Sequence, residues 1–267
     1  MMLHKTVTNF CRKHRIGMDT NAGQHFLIDE SVLADIVTAS GMTASDHVLE
    51  VGAGLGILTK ELLAHAGRVT TIEQDRRWID PLNAYLNTPA IPKGKLTILN
   101  ANALDVPPPQ DPYIVVANIP YHITAPLLRQ LFLESANRPQ SATLLVQKEV
   151  AEKLAETPPS TFLGVLVALA GTTRIVRMVP PASFLPPPKV ESAVIRIDAH
   201  TPALVTPSEA RDILRFASAA FAGKRKMLRG TVGKIHGGAE RLEAAGINGE
   251  RRPQTLAIEE WIALARA

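Results

Sequence analysis

The sequence predicts an α/β fold, a parallel sheet covered by helices on both faces, followed by a small helical domain. Between residues 47 and 170, short apolar segments alternate with helical patterns, an order typical of parallel sheets. A glycine-rich turn joins the first strand to the first helix of this series. From about residue 203 the strand pattern ends and the chain becomes helical and charged. We therefore predict one domain over residues 1–202 and a second over residues 203–267.

The elements of the first domain follow from apolar runs bounded by glycine, proline and polar residues. Strands are predicted at residues 47–51, 68–73, 95–99, 113–117 and 142–147. Helices are predicted at residues 57–66, 76–86, 124–134 and 162–170. Two late strands, at residues 172–179 and 190–197, are separated by a proline-rich stretch and suggest a closing hairpin. Everything before residue 47 is interpreted as a polar, basic lead-in that forms an N-terminal arm.

The second domain opens with a clear helix start. Thr206 and Glu209 have the three-residue spacing of a capping box, and Pro207 stands at the first helical position. Ile213 and Ala217 then lie one helical turn apart on a single apolar face. These signals predict an amphipathic helix that packs against the rest of this domain.

The composition excludes several classes of protein. The chain has 267 residues and is 46% hydrophobic, which is enough for a substantial core and excludes a disordered chain. The longest apolar run, Phe162–Ala170, is far shorter than the roughly 20 residues that span a bilayer, and the N-terminus lacks a secretory signal pattern. A single cysteine, Cys11, forms no internal disulfide, which is typical of a reducing compartment. We predict a cytoplasmic protein without membrane contact.

Positive charge is concentrated in the predicted second domain. The whole chain carries 29 basic and 25 acidic residues, for a net charge of +4. Between Arg211 and Arg252 there are ten basic and four acidic residues, so this segment is strongly positive and the remainder is slightly negative. A second basic cluster, Arg12, Lys13 and Arg15, lies near the N-terminus. A basic module on a slightly acidic body indicates a polyanionic partner.

The glycine turn after the first strand indicates a nucleotide-type ligand. Gly52, Gly54 and Gly56 follow the strand, and a helix begins directly after them, so backbone N–H groups point at a ligand that can approach closely. The dinucleotide fingerprint places its third glycine three residues after the second, at Ile57 in this chain. An NAD-linked dehydrogenase is therefore disfavoured. The spacing resembles the first motif of S-adenosylmethionine (AdoMet) methyltransferases, and a purely structural turn is the alternative at this point.

Two polar residues close the next two strands. Glu73 ends the second strand, where a carboxylate accepts the ribose hydroxyls of a bound nucleoside. Asn102 follows the third strand, where its carbonyl oxygen is placed to accept from an adenine amino group.

The segment after the fourth strand suggests the chemistry. Asn118, Ile119, Pro120 and Tyr121 combine a side-chain amide, a proline-fixed backbone and an aromatic ring. The amino group of an aromatic base is a poor nucleophile because its lone pair is delocalised into the ring. Acceptors from Asn118 and from the Ile119 or Pro120 carbonyl would hold its hydrogens, while Tyr121 stacks on the base. Positioning and electrostatics then supply the rate. An Asn-Pro turn with a buried tyrosine is the structural alternative.

Five motifs in the right order resemble the ribosomal RNA adenine dimethyltransferases of the KsgA family, over nearly the whole chain. The motifs lie at residues 23–27 (GQHFL), 50–59 (EVGAGLGILT), 118–121 (NIPY), 184–192 (FLPPPKVES) and 221–229 (FAGKRKMLR). The resemblance implies a Rossmann-like class I AdoMet-dependent methyltransferase domain. It also implies dimethylation of the N6 atoms of two adjacent adenosines near the 3′ end of 16S rRNA, in the small ribosomal subunit, linked to ribosome biogenesis.

The same resemblance implies roles for individual residues. The expected AdoMet-binding residues are Gln24, His25, Leu27, Gly52, Gly54, Glu73, Asn102 and Asn118. The expected catalytic residues are Asn118, Ile119, Pro120, Tyr121 and Phe184, with Tyr121 and Phe184 on either side of the target adenine. The expected RNA-binding residues are Arg12, Lys13, Arg15, Lys189, Lys224, Arg225, Lys226 and Arg229. We expect no metal, because no histidines have ligand spacing, and nothing demands more than a monomer.

Two positions depart from the family pattern. Asn102 stands where the family commonly has Asp, so a charge is lost and a lower affinity for AdoMet is expected. His25 stands where Asn is more usual, and either side chain forms hydrogen bonds. Neither change affects the residues expected to transfer the methyl group.

Two alternative functions remain at this stage. A 23S rRNA adenine methylase of the antibiotic-resistance type shares the glycine, NIPY and FxPxPKV motifs, but the GQHFL opening and the KRKMLR segment favour the small-subunit enzyme. A non-catalytic ribosome-assembly or RNA-binding factor on the same scaffold would not need the intact segment 118–121. A methylase of a small molecule or protein glutamine would not need the basic second domain.

Overall fold

A computed structural model describes residues 2–20, 23–86, 89, 91–223 and 225–267. The chain forms two compact units. The first contains the chain up to Ala151 together with Arg174–Asp198, and the second contains Glu152–Thr173 and Ala199–Ala267. The sequence placed residues 152–173 in the first domain, whereas by their contacts they belong with the C-terminal helices. The segment includes a helix that is apolar on nearly every side, and such a helix must be covered all round.

The first unit is built on a seven-stranded sheet, and two very short strands pair apart from it. The strands are β1 (Phe26–Leu27), β2 (His47–Val51), β3 (Arg68–Glu73), β4 (Leu96–Asn100), β5 (Ile114–Asn118), β6 (Ser141–Gln147), β7 (Gly171–Val179), β8 (Phe184–Leu185) and β9 (Ser192–Ala199). The sheet order is β4-β3-β2-β5-β6-β9-β7. Strands β2 to β6 are parallel, and β9 runs antiparallel to β6. The predicted α/β sheet is confirmed, and the two late strands are neighbours at its edge.

Ten α-helices connect and cover the strands in the described part of the chain. They are α1 (Met2–His14), α2 (Glu30–Ser40), α3 (Ile57–His65), α4 (Ile79–Leu86), α5 (Thr124–Arg129), α6 (Lys148–Ala155), α7 (Phe162–Ala170), α8 (Pro207–Ala222), α9 (Gly238–Ala244) and α10 (Ile258–Arg266). A π-helical turn, Gln130–Glu134, continues α5. No helix in the described ranges is long and apolar enough to cross a membrane.

Helices α1, α2 and α6 were not predicted. Helices α1 and α2 lie in the segment before residue 47 that was interpreted as a polar lead-in. Helix α1 buries only Val7 and Cys11, so its apolar stripe is too thin to stand out in the sequence. Helix α2 does carry local signals. The Asp29 side chain accepts from two backbone N–H groups at its start, and Gly41 ends it in the left-handed conformation with φ of 58°.

The core of the first unit lies between the sheet and its helices. All five residues of β2 are buried, as expected for a central parallel strand. Val48, Leu62, Leu82, Val116 and Val194 belong to one continuous cluster that joins strands to α3 and α4. This packing fixes the sheet edge at which the strands end.

The second unit is held by contacts between its helices. Thr206 and Glu209 form the predicted capping box at the start of α8. Trp261 of α10 is fully buried, and its ring centroid lies 6.0 Å from that of Phe221. Arg266, at the end of α10, donates to Glu209 over 2.7 Å and so ties the two helices together.

Replacing Leu62 by Ala tests the core of the first unit. Leu62 is fully buried in α3, so we expect the free energy of unfolding to fall by about 2–5 kcal/mol, from lost burial and a residual cavity. The measurement is urea denaturation followed by circular dichroism. Lys60→Ala, an exposed position on the same helix, serves as the control, and its effect should be below about 1 kcal/mol. Equal effects of the two variants would contradict this view of the core.

Candidate active site

A cleft of about 860 Å³ opens at the carboxyl ends of the parallel strands, within the size range of small-molecule sites. Ten of the predicted site residues line it, all in the first unit: Gln24, His25, Leu27, Gly52, Gly54, Glu73, Asn118, Ile119, Pro120 and Tyr121. Asn102 and Phe184 are not among the lining residues. The cleft therefore brings together ten of the residues that the sequence predicted, whereas Asn102 and Phe184 lie outside its wall.

The glycine turn borders the cleft and is packed too closely against neighbouring residues to accept side chains. Gly52, Gly54 and Gly56 all have positive φ, at 83°, 51° and 79°. A Cβ atom on Gly54 would lie 2.8 Å from the ring of Phe26, and one on Gly52 would lie 3.3 Å from Pro120 Cδ. Both the backbone conformation and the space at the turn thus require glycine.

Glu73 projects from the end of β3 beside this turn. Its Oε2 accepts from the Gly54 N–H over 2.8 Å, and its Oε1 accepts from the Asp75 N–H over 2.8 Å. Burial raises the pKa of Glu73 above its ordinary value, against the lowering effect of these backbone donors. An ionised carboxylate offers about four acceptor sites, so two remain for hydroxyl groups of a ligand.

A second carboxyl group, Glu50, is buried beneath the turn. It is 1% exposed, and Thr59 donates to its Oε2 over 2.7 Å. Among the described residues, none forms a hydrogen bond with its Oε1. Burial raises the pKa of Glu50 to about 7. Glu50 does not line the cleft, and the negative charge of Glu73 contributes to the raised pKa of Glu50.

Asn118 is oriented by a contact with the N-terminal segment. It is the last residue of β5, and its Nδ2 donates to the carbonyl oxygen of His25 over 3.3 Å. This bond fixes which end of the amide is the donor. Among the described residues, no hydrogen bond to Asn118 Oδ1 is formed, so the acceptor end is available to a ligand.

Tyr121, which follows Pro120 in the chain, is held in place by a hydrogen bond of its hydroxyl group. The Tyr121 hydroxyl and the buried Ser192 hydroxyl share a hydrogen bond of 2.6 Å. Burial raises the pKa of Tyr121, so the phenol stays neutral. Its ring lies nearly parallel to that of His25, with centroids 6.2 Å apart and planes inclined by 19°.

The segment 23–27 lines the cleft and is held in place by side-chain hydrogen bonds and a short strand pair. The Gln24 amide donates to Asp75 over 2.9 Å and accepts from the Asp19 N–H over 2.8 Å. Strand β1 pairs with β8, with Leu27 opposite Phe184. Gln24 therefore joins the segment to the end of β3, where hydrogen bonds from Arg77 lower the pKa of Asp75 to about 2.

Asn102 and Phe184 have other contacts. The Asn102 carbonyl oxygen accepts from the Leu104 N–H over 3.1 Å and so caps a 3-10 turn, while its neighbours Ala101 and Ala103 line the cleft. Phe184 is only 2% exposed, and its side chain belongs to the hydrophobic core that includes Leu27.

The lining residues that the sequence analysis did not assign to the site include Asp75, Trp78, His122 and Gln147. Gln147 ends β6, so the strand-end argument applied to Glu73 would have found it. Trp78 is 1% exposed and packs on Phe26, with ring centroids 5.2 Å apart, and it also borders the cleft.

The predicted RNA-binding residues are exposed where they are described. Arg12 and Lys13 end α1 and Arg15 follows it, while Lys189 follows β8. In the second unit Arg225, Lys226 and Arg229 are exposed, and Arg229 pairs with Glu250 over 2.8 Å. Lys224 lies outside the described residues. Within the described ranges, no group of three or more His, Cys, Asp or Glu side chains is placed to hold a metal.

Strand order and glycine turn define the Rossmann-like methyltransferase fold, and comparison with known proteins identifies the family. The profile of the family described as "Ribosomal RNA adenine dimethylase" matches residues 17–267. The chain belongs to this family of rRNA-modifying enzymes.

Individual relatives agree with this assignment. The chain is 38% identical to the "Ribosomal RNA small subunit methyltransferase A" of Brucella anthropi, over 96% of this chain and 93% of the relative. It is 37% identical to the protein of that name from Dehalococcoides mccartyi, over 90% and 84% of the two chains. Among solved structures, it resembles a dimethyladenosine transferase from Plasmodium falciparum (TM-score 0.76, 25% identity, 90% and 96% covered). It also resembles the 23S rRNA methyltransferase ErmE (TM-score 0.70, 28% identity, 90% and 98% covered).

The buried carboxyl of Glu50 predicts a pH-dependent stability. Its pKa is about 7 in the folded chain and near 4.5 in the unfolded chain, so the folded form is favoured at low pH and loses up to about 3 kcal/mol as pH rises from 4.5 to 7. Glu50→Gln removes this titration. Its stability relative to the parent chain should therefore rise between pH 5 and 7 and become constant above pH 7.5.

The measurement is urea denaturation at several pH values, followed by Trp78 fluorescence in a Trp261→Phe background. Trp78 lies in the first unit and Trp261 in the second, so this background reports the unit that contains Glu50. A stability difference that does not change with pH would show that Glu50 is ionised throughout.

Proposed function

We propose that this chain uses AdoMet to dimethylate the N6 atoms of two adjacent adenosines near the 3′ end of 16S rRNA, within the small ribosomal subunit. The observation that carries the proposal is Asn118, whose amide is fixed with its acceptor end free at the mouth of the cleft. The names of the relatives favour the small-subunit substrate over the 23S alternative. The proposal includes the cytoplasmic location and the link to ribosome biogenesis expected from the sequence.

The cleft fits AdoMet as the methyl donor. Gly52 and Gly54 line the cleft at the start of α3, and Glu73 retains acceptor sites for the ribose hydroxyls. When bound, AdoMet supplies an activated methyl group, so the chain itself needs no metal and no nucleophilic side chain. The segment around Asn102 is assigned to the adenine end, because its neighbours Ala101 and Ala103 line the cleft while the Asn102 carbonyl oxygen caps the 3-10 turn.

Catalysis by this chain consists of orienting the amino group of the target base. Asn118 Oδ1 accepts one hydrogen of the N6 amino group, and a backbone carbonyl of Ile119 or Pro120 accepts the other. The nitrogen lone pair is then directed away from the ring plane and toward the methyl group. Tyr121 stacks on the base and holds it in this orientation.

The basic residues are proposed to bind rRNA phosphates. Arg12, Lys13, Arg15 and Lys189 in the first unit are exposed, as are Arg225, Lys226 and Arg229 in the second. Contacts of this kind position the enzyme without reading sequence and are sensitive to salt. The Glu250 partner of Arg229 makes Arg225 and Lys226 the stronger candidates.

Replacing Asn118 by Ala tests the proposal directly. With labelled AdoMet and small subunits that lack the modification, the parent chain should form dimethyladenosine. Asn118→Ala should lower kcat by at least about 100-fold, because one acceptor for the amino group is lost. Asn248→Ala, an exposed asparagine outside the cleft lining, is the matched control.

Large subunits assayed in parallel separate the alternatives. Label on large-subunit RNA alone would support the 23S methylase. Subunit binding without transfer by the parent chain would support an assembly factor.

Replacing Lys224, Arg225 and Lys226 together by Ala tests the RNA surface. We expect weaker binding to small subunits at low salt and a shallower dependence of log K on log salt concentration, because fewer counterions are released. The measurement is filter binding between 50 and 300 mM KCl.

A charge-matched variant controls for the lost positive charge. Its substitutions, Lys60→Ala, Lys93→Ala and Arg174→Ala, remove three exposed cations of the first unit that are not assigned to RNA. If both triple variants gave the parental slope, the assignment of residues 224–226 to phosphate contacts would be wrong.

A further inference from the structure

A second cavity lies within the C-terminal unit. Its volume of about 470 Å³ is in the range of sites that bind small ligands. Its lining residues all belong to the second unit: Ser160, Thr161, Phe162, Phe221 and Gln254. The lining thus combines two phenylalanine rings with three polar side chains, and the function proposed above gives this cavity no role.

The two phenylalanines of the cavity are only partly covered by the protein. Phe162 is the first residue of α7, and its side chain is half-buried although the later residues of the helix are mostly buried. Phe221 is also half-buried. It lies near the end of α8 and packs on the fully buried Trp261, with ring centroids 6.0 Å apart. Apolar surface that is left open at a supported position favours a ligand with apolar faces.

The polar residues of the cavity retain hydrogen-bonding capacity. Thr161 Oγ1 accepts from the Gly164 N–H over 2.9 Å, so its hydroxyl hydrogen remains a donor. Ser160 donates to Glu156, so the Ser160 oxygen remains an acceptor. Among the described residues, none forms a hydrogen bond with the Gln254 side chain, whose amide offers both donors and an acceptor. A flat ring with donors and acceptors on its edge matches this combination.

Backbone hydrogen bonds join two of the segments that flank the cavity. The Leu228 N–H donates to the Arg251 carbonyl oxygen over 2.9 Å, and the Arg229 N–H donates to the Gly249 carbonyl oxygen over 2.8 Å. The segment that follows α8 is therefore held beside the segment that leads to Gln254.

Positive charge is concentrated on these joined segments. Arg225, Lys226 and Arg252 are exposed, and none of the three has a carboxylate partner among the described residues. Arg229 differs, because it pairs with Glu250 over 2.8 Å. Uncompensated cations beside a cavity favour a ligand that carries phosphate groups.

We propose that this cavity binds an unpaired nucleobase of an RNA whose phosphates contact the adjacent basic residues. The inference rests on the proposed function, since it adds a base contact to the RNA surface proposed there. Bases that are splayed out of a loop or bulge stack on aromatic side chains and form hydrogen bonds at their edges. Phe162 and Phe221 supply the apolar contacts, and Thr161 and Gln254 supply the hydrogen bonds. The second unit then distinguishes an unpaired base from a paired one, which phosphate contacts alone do not.

Three substitutions separate the aromatic contact from the polar one. Phe162→Leu removes the ring and keeps an apolar side chain, whereas Phe162→Tyr keeps the ring. Gln254→Ala removes the amide of a half-buried side chain. Gln140→Ala, an exposed glutamine outside the lining of both cavities, is the matched control. Circular dichroism and thermal unfolding show that each variant is folded.

The first readout compares an RNA that has bases with one that lacks them. The probes are a labelled eight-nucleotide uridine RNA and the same sugar–phosphate chain with abasic sites, and their Kd values are measured by fluorescence anisotropy. The parent chain should bind the uridine RNA at least about 10-fold more tightly, as one stacked base allows. Phe162→Leu and Gln254→Ala should each lower this preference at least about threefold without a change for the abasic chain. Phe162→Tyr and Gln140→Ala should retain it.

Three results would overturn the proposal. The first is a parent chain without preference for the uridine RNA, or a full preference in both Phe162→Leu and Gln254→Ala. The second is an equal loss for the two probes, which would indicate contact with phosphates alone. The third is weaker binding of these variants to small subunits without any base preference, which would assign the cavity to a ribosomal protein.

The second readout locates the bound base. The same RNA made with 5-iodouridine, irradiated with the parent chain, should crosslink to peptides that contain Phe162 or Phe221. Crosslinks confined to the first unit would overturn the proposal. Neither readout depends on methyl transfer. Base preference without methylation of small subunits would refute the proposed function and leave the cavity assignment standing, and methylation without base preference would do the reverse.

Discussion

The site depends on one constraint, the parallel register of β2, β3, β5 and β6. Val51 of β2 lies opposite Ile72 of β3, so the next residues, Gly52 and Glu73, leave the sheet at the same edge. Asn118 leaves β5 at that edge too. Residues that are far apart in sequence thus face one cleft because their strands are buried in a fixed register, and a slip of one residue would turn each side chain to the other face.

The geometry of the site also depends on the short segment at residues 23–27, which lies outside the main sheet and lines the cleft. It has little regular structure of its own, since β1 has only two residues. Its position depends on side-chain bonds, from Gln24 to Asp75 and from Asn118 to the His25 carbonyl. The Phe26 ring against Gly54 adds a packing contact. Side-chain hydrogen bonds therefore position this segment, whereas strand pairing positions the other residues of the site.

The sequence predicted the central elements well because burial leaves a strong signal. Strands β2 and β3 were predicted with their observed bounds, because each is an apolar run with a clear end. Gly52 follows β2, and the acidic residue Glu73 ends β3. Helices α1 and α2 were missed, because α1 buries few residues and the caps of α2 were not weighed. The apolar helix α7 shows that residues 152–173 are buried, but which unit covers them depends on tertiary packing.

The sequence predicted those residues of the candidate site that lie at the ends of apolar strands. Glu73 and Asn118 end apolar strands and Gly52 directly follows one, and all three line the cleft. The capping of Asn102 and the burial of Phe184 were not foreseen, because both depend on contacts with other segments. The parallel pairing of His25 and Tyr121 joins residues almost a hundred positions apart, and periodicity carries no information at that distance.

The charges of the site are suited to methylation of a neutral amine. Glu73 lies beside the turn with backbone donors on both oxygens, which lower its pKa against the larger raising effect of burial. Glu50, buried nearby, has a pKa near 7, so below that pH the two carboxyl groups do not both carry a charge. Tyr121 stays neutral, and Asn118 offers an uncharged acceptor. A neutral acceptor can hold the hydrogens of an amino group without first removing a proton from it. Under the proposed function, orientation, more than acid–base strength, is therefore what this cleft would contribute to the reaction.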